Sequence, residues 1–180
     1  MSVSPAQTPT LLDCTLRDGG YYNNWDFSIA EAQEYIDNLA HGGVPVIEVG
    51  FRFTPKSRFL GPFAYTSEAL LARLDLPEGV QFGVMINAAD YLTDNWQADL
   101  EAAFAPASES AVSLVRVAAH ISELPNCDRI VAWLKAAGYD VGLNVMQISQ
   151  ADDTTITALI ENIERRFVPF EVLYFAARLG

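Results

Sequence analysis

Lysine is nearly missing from this 180-residue chain, with Lys56 and Lys135 the only two, and basic residues as a whole number 11 against 23 acidic ones. The net charge of −12 repels polyanions, which argues against nucleic acid and membrane surfaces as partners and leaves a small molecule as the expected ligand. Neither lysine stands where a strand end would hold a Schiff-base nucleophile, so carbonyl chemistry through a covalent imine is disfavoured. Cysteine is equally scarce. Cys14 and Cys127 build no disulfide framework, and two such thiols suit a reducing, cytoplasmic setting. No apolar run approaches the roughly 18–20 residues of a spanning helix. The opening MSVSPAQTPT lacks the basic start and apolar middle of a secretory signal. Residues 1–9 read as a loose polar leader and residues 10–180 as one domain. No glycine-rich dinucleotide fingerprint follows the first strand, and no P-loop occurs anywhere.

What is present is an apolar, strongly patterned chain. Hydrophobic residues make up 51% of it. Strand-like, β-branched-rich runs fall at residues 10–14, 44–51, 80–86, 112–118, 140–146 and 171–175. Between them, helical periodicity covers 28–41, 67–74, 95–104, 126–137 and 152–167. Ser28 followed by Glu31 reads as a capping box, and Gly42-Gly43 closes that helix where a left-handed residue is wanted. Strict alternation of strand and helix means crossover units and a parallel sheet covered by helices, hence an α/β fold. Two architectures fit: an open doubly wound sheet, or a (β/α)8 barrel that stops early. The missing nucleotide motifs count against the first.

Both architectures place function after the carboxyl ends of the strands. The residues there are Arg17, Asp18, Gly19 and Gly20 after the first strand, Glu48 and Gly50 at the end of the second, and Asn87 after the third. His120 follows the fourth, Gln147 and Ser149 the fifth, and Ala177, Arg178 and Gly180 the sixth. Asp18 reads either as a turn residue, since Asp-Gly is a common turn dipeptide, or as a functional carboxylate. Glu48 interrupts an apolar strand, and a buried carboxylate needs a partner; Arg17, one strand over, is the obvious one. Such a pair is either structural or a device that fixes a guanidinium in front of a developing oxyanion. His120 is open to a backbone-bonded or a functional reading, while Tyr21, Tyr22 and Trp25 read first as packing.

The segment DCTLRDGG, with IEVGF about thirty residues later, resembles the DRE-TIM metallolyase superfamily. That group includes HMG-CoA lyase, 4-hydroxy-2-oxovalerate aldolase and the isopropylmalate and homocitrate synthases. GPFAYTSEALL, VRVAAH, VGLNVMQIS and VLYFAARLG look like its successive strands and loops, most like an HMGL-like aldolase branch. The resemblance implies a TIM barrel binding magnesium or manganese, and a keto acid chelated by that ion. Asp18 would ligate the metal, Arg17 would stabilise an enolate oxygen, and Glu48 would hold Arg17. Tyr21 stands where the aldolase branch has a histidine base. The family's His-x-His metal motif on strand seven has no counterpart here, and Ala177 replaces an acidic residue. The chain therefore reads as an incomplete barrel of about six strands and five helices, its gap filled by a second copy or a complementing chain or removed by reshuffling into an open sheet. The expected activity is metal-dependent aldol or lyase chemistry on a 4-hydroxy-2-oxo acid. The alternatives are a Claisen-type acyltransferase and a non-catalytic assembly subunit.

Overall fold

The computed structural model describes residues 10–166 and 172–176. Its strands are β1 Leu12–Asp13, β2 Val46–Phe51, β3 Gln81–Asn87, β4 Leu114–Ala119, β5 Asp140–Met146 and β6 Val172–Ala176. The helices are α1 Thr15–Asn23, α2 Ile29–His41, α3 Glu68–Leu71, α4 Ala88–Tyr91, α5 Trp96–Ala103, α6 Asp128–Ala136 and α7 Asp153–Arg166. Every residue of β2 and β4 is buried, which is what a continuous apolar run requires when a sheet is covered on both faces.

All neighbouring strands are parallel, and their order runs β1-β2-β3-β4-β5-β6 without reversal. A doubly wound sheet reverses its strand order at a switch point; this one progresses in one direction, as a barrel does. Among the described residues β1 and β6 each have one strand neighbour, so the barrel is incomplete, as the alternation and the resemblance imply. The same progression brings the residues that follow each strand to one end of the sheet. None of the described helices is long and apolar enough to cross a membrane.

The caps form as the residue types demand. The Ser28 hydroxyl accepts from the Glu31 amide at 3.2 Å, the Ser28 amide donates to the Glu31 carboxylate at 2.8 Å, and Gly43 takes the left-handed conformation at φ 77°. Two helices depart from expectation. The tetrapeptide helix α4 follows β3 directly, and α1 includes the Arg-Asp-Gly-Gly stretch that composition marks as a turn. The cause of α1 is local. The Asp13 carboxylate accepts from the Thr15 amide at 2.9 Å and from its hydroxyl at 3.1 Å, satisfying an N–H that a helix start leaves open. Residues 1–9, 167 and 171, together with Ala177, Arg178 and Gly180, lie outside the described residues.

Gly20 explains why a helix tolerates two adjacent glycines. A Cβ there would stand 1.9 Å from Cδ1 of Trp25, whose fully buried ring packs edge-on against Phe51 and Phe53. Asn24 and Trp25 both adopt left-handed backbone, and this turns the indole back under α1. Its Nε1 donates to the Arg17 carbonyl at 2.7 Å. Gly20→Ala is therefore expected to cost about 3 kcal/mol, at the upper end for overpacking, despite alanine's better helix propensity. The midpoint of urea unfolding measures it; a variant as stable as the wild type would show that Trp25 is free to move aside.

Candidate functional site

Glu48 is the anchor of the candidate site. The register between β2 and β3 slips by one residue between Glu48 and Gly50, an irregularity of the kind that re-aims a strand side chain. The Glu48 side chain is 0% exposed, so its charge needs compensation from other side chains. Arg17, on α1, donates from Nε to Oε2 at 2.7 Å. Arg116, on β4, donates from Nη1 to both oxygens at 3.2 and 3.1 Å, and from Nη2 to Oδ1 of Asn144 on β5 at 3.1 Å. One buried carboxylate is thus shared by two guanidiniums.

Arg17 is held on three sides. Besides Glu48 it donates from Nη1 to Oδ1 of Asp18 at 2.8 Å, and its guanidinium carbon lies 5.7 Å from the centroid of the Phe51 ring. Among the described residues its Nη2 makes no hydrogen bond, which leaves a fixed donor unspent. Burial works against the charge, but the Glu48 carboxylate, with smaller help from Cys14 and Asp18, outweighs it and raises the guanidinium above its ordinary value. Burial likewise raises the neighbouring Cys14 thiol, with Arg17 pulling the other way, and raises buried Cys127 to about 12. Both cysteines are therefore protonated at neutral pH, in line with inert thiols rather than nucleophiles.

The other sequence-derived residues fall into place unequally. Asp18 joins the Arg17–Glu48 group, but its side chain is 66% exposed and its one defined partner is Arg17. Among the described residues no three His, Cys, Asp or Glu side chains cluster as a metal centre. A single solvent-exposed carboxylate paired with a guanidinium does not fit a hard divalent ion, which wants several converging oxygens. Tyr21 is 61% exposed, its ring lying edge-on to Trp25 at 4.8 Å and to Phe51 at 6.1 Å. Partial desolvation raises its phenol further from neutrality, with Asp18 adding to the rise and Arg17 opposing it. Tyr22 is 96% exposed, so the packing expected of it is not there; Trp25 does pack.

His120 follows β4 at the same end of the sheet, and its amide donates to the Glu123 carboxylate at 2.8 Å. Its side chain makes no hydrogen bond or ion pair with Arg17, Asp18 or Glu48. It lines an open groove of about 440 Å³ with Ser122, Met146 and Gln147, whose φ of 56° is unusual for a residue with a side chain. Lys56 is tied to Asp90 at 2.6 Å, far from a nucleophile's setting.

Two members of the polar network escape the list of strand ends. Arg116 and Asn144 lie within β4 and β5, and both are buried. The signal for them was the one that marked Glu48: a charged or amide side chain inside a strand that is otherwise apolar.

A phenol raised above its usual range is a poor base at neutral pH. For any reaction proposed at this site, Tyr21→Phe is accordingly expected to leave turnover within about twofold of wild type. Steady-state kinetics check it, and a loss of a hundredfold would restore the tyrosine to the chemistry.

No family model and no curated protein matches the sequence. Two solved structures share its fold. One is the N-terminal domain of a candidate aldolase from Bacteroides vulgatus, at a TM-score of 0.61 and 23% identity, covering 94% of this chain and 62% of that one. The other is hydroxymethylglutaryl-CoA lyase from Pseudomonas aeruginosa, at a TM-score of 0.66 and 19% identity, covering 91% of this chain and 56% of that one. The chain therefore spans less than two thirds of either. What it shares with both is the fold: successive parallel β/α units, incomplete here. Within this chain, Arg17 and Asp18 of α1 meet Glu48, which lies in the middle of β2 and not at its end.

Proposed function

We propose that this chain carries the enolate-stabilising part of a carbon–carbon lyase of the aldolase type, acting on a 4-hydroxy-2-oxo acid or a related keto acid. The observation that carries the reading is Arg17: fixed by Glu48, Asp18 and Phe51, with Nη2 unspent. In retro-aldol cleavage the 4-hydroxyl loses its proton, the C3–C4 bond breaks to release an aldehyde, and the electron pair moves onto the C2 carbonyl oxygen. That oxygen becomes an enolate, which Arg17 stabilises until C3 is reprotonated and pyruvate leaves. A preorganised donor needs no reorientation as the charge develops.

Proton transfer falls to His120 in preference to Tyr21, because an imidazole suits neutral pH and a raised phenol does not. His120 follows β4, two strands from β2 in the sheet order, so this role requires a substrate that extends from Arg17 toward the fourth strand. The unpaired sides of β1 and β6 suit additional strands from a complementing chain or a second copy, which light scattering of the purified protein would register.

Pyruvate release from a 4-hydroxy-2-oxo acid tests this reading, run beside an assay for free CoA from an acyl-CoA and a keto acid. Pyruvate without CoA release is the expected result. CoA release alone would replace the lyase with a Claisen-type acyltransferase. Neither product, together with no binding of a keto acid, would reduce the chain to a structural subunit.

A further inference from the structure

A keto acid is an anion, and this chain carries a net charge of −12. Long-range electrostatics therefore oppose the proposed substrate, and attraction has to be local. The Arg17–Glu48 pair alone is neutral. Asp18, paired with Arg17 at 2.8 Å, adds a second negative charge that solvent partly screens. Arg116 changes the count: it supplies a second guanidinium, without which one guanidinium would face two carboxylates.

We infer that Arg116 is a positioning residue that sets the charge of the site, compensating Glu48 from the barrel interior so that Arg17 keeps its attraction for an anionic substrate. The inference rests on the keto-acid reading of the site. The geometry supports a division of labour. Arg116 spends Nη1 on both oxygens of Glu48 and Nη2 on Asn144, so it is directed inward and not at a ligand. Arg17 meets Glu48 through Nε alone, which leaves the outer edge of its fork for Asp18 and a ligand. Arg116 also continues to compensate the carboxylate when Arg17 turns its field toward an incoming anion. Asn144 holds Arg116 in this orientation from the next strand.

The test is calorimetric titration of the full chain with oxalate, a planar dianion that resembles the enolate of pyruvate, in the presence of a chelator. One unit of charge a few ångströms away, at the effective dielectric of a protein, corresponds to about tenfold or more in affinity. Arg116→Gln, which takes one positive charge from the site, is expected to bind oxalate about tenfold more weakly than wild type. Arg116→Gln combined with Glu48→Gln restores the net charge of the wild-type site and is expected to recover affinity to within about threefold, because the amide oxygen still accepts from Arg17. A role confined to packing would not be repaired by a second substitution.

Should Arg116→Gln fail to fold, Glu48→Gln alone decides: it carries one more positive charge and is expected to tighten oxalate about tenfold. Unchanged affinity in Arg116→Gln, a folded double variant that stays weak, or no gain in Glu48→Gln would each overturn the inference while leaving the keto-acid reading intact. A wild-type chain that takes no oxalate would overturn both.

Discussion

Glu48→Ala is expected to lower the free energy of unfolding by about 3–5 kcal/mol, the range for breaking a buried ion pair from one side. The number follows from what the substitution leaves behind. Glu48 is wholly buried between Arg17 and Arg116, and its removal strands two guanidiniums with no carboxylate between them. Each retains some compensation, Arg17 from Asp18 and Arg116 from the amide oxygen of Asn144, but neither substitute is both charged and buried. The small side chain adds a cavity inside the barrel wall. Glu48→Gln keeps volume and acceptor and is expected to cost less than half as much. Urea unfolding of the two variants beside wild type gives the comparison. A loss below about 1 kcal/mol for Glu48→Ala would mean that water reaches the carboxylate, and the arrangement of the site would have to be redrawn.

Arg17→Ala should act on turnover where Glu48→Ala acts on stability. With Arg17 removed, Glu48 is still bound through both oxygens to Arg116, so the core keeps a compensated charge and the fold survives. The proposed donor for the enolate oxygen is gone. Losing one such donor typically costs about 10²–10³ in turnover, or roughly 3–4 kcal/mol of transition-state stabilisation. Arg17→Lys is expected to restore only a small part of that. Lysine offers a point charge in place of a planar fork and cannot meet Glu48, Asp18 and a substrate oxygen together in one orientation. Pyruvate release under saturating 4-hydroxy-2-oxo acid measures the effect, with unfolding curves confirming that the protein is intact. Equal turnover in Arg17→Ala and wild type would remove the guanidinium from the reaction.

Much of this architecture is legible in the residues, for reasons that also explain what is not. The fifth strand reads off its bounds, 140–146, because an apolar β-branched run between two helical patterns has no rival conformation. The direction of the strand order does not read off, since even spacing of β/α units serves a doubly wound sheet and a barrel alike. The first helix hides for an energetic reason. Two adjacent glycines each cost about 1 kcal/mol in a helix, and the Trp25 ring beneath Gly20, the Asp13 carboxylate on the Thr15 amide, the buried Leu16 and the Arg17–Glu48 pair to β2 offset this. Neither is visible in local propensity. At the site, the buried charge of Glu48 and its pairing with Arg17 follow from a carboxylate placed within VIEVGF. Arg116 and Asn144 carry the same mark in VRV and LNV, but a search confined to strand ends passes over them.

The contact between Trp25 Nε1 and the Arg17 carbonyl has an optical consequence. An indole sealed from water and bonded to the backbone of the proposed anion-binding residue has an emission that responds to small shifts of that backbone. With Trp96 and Trp133 replaced by phenylalanine, Trp25 becomes a single intrinsic fluorophore, and its spectrum would follow occupancy of the barrel mouth in real time without any label.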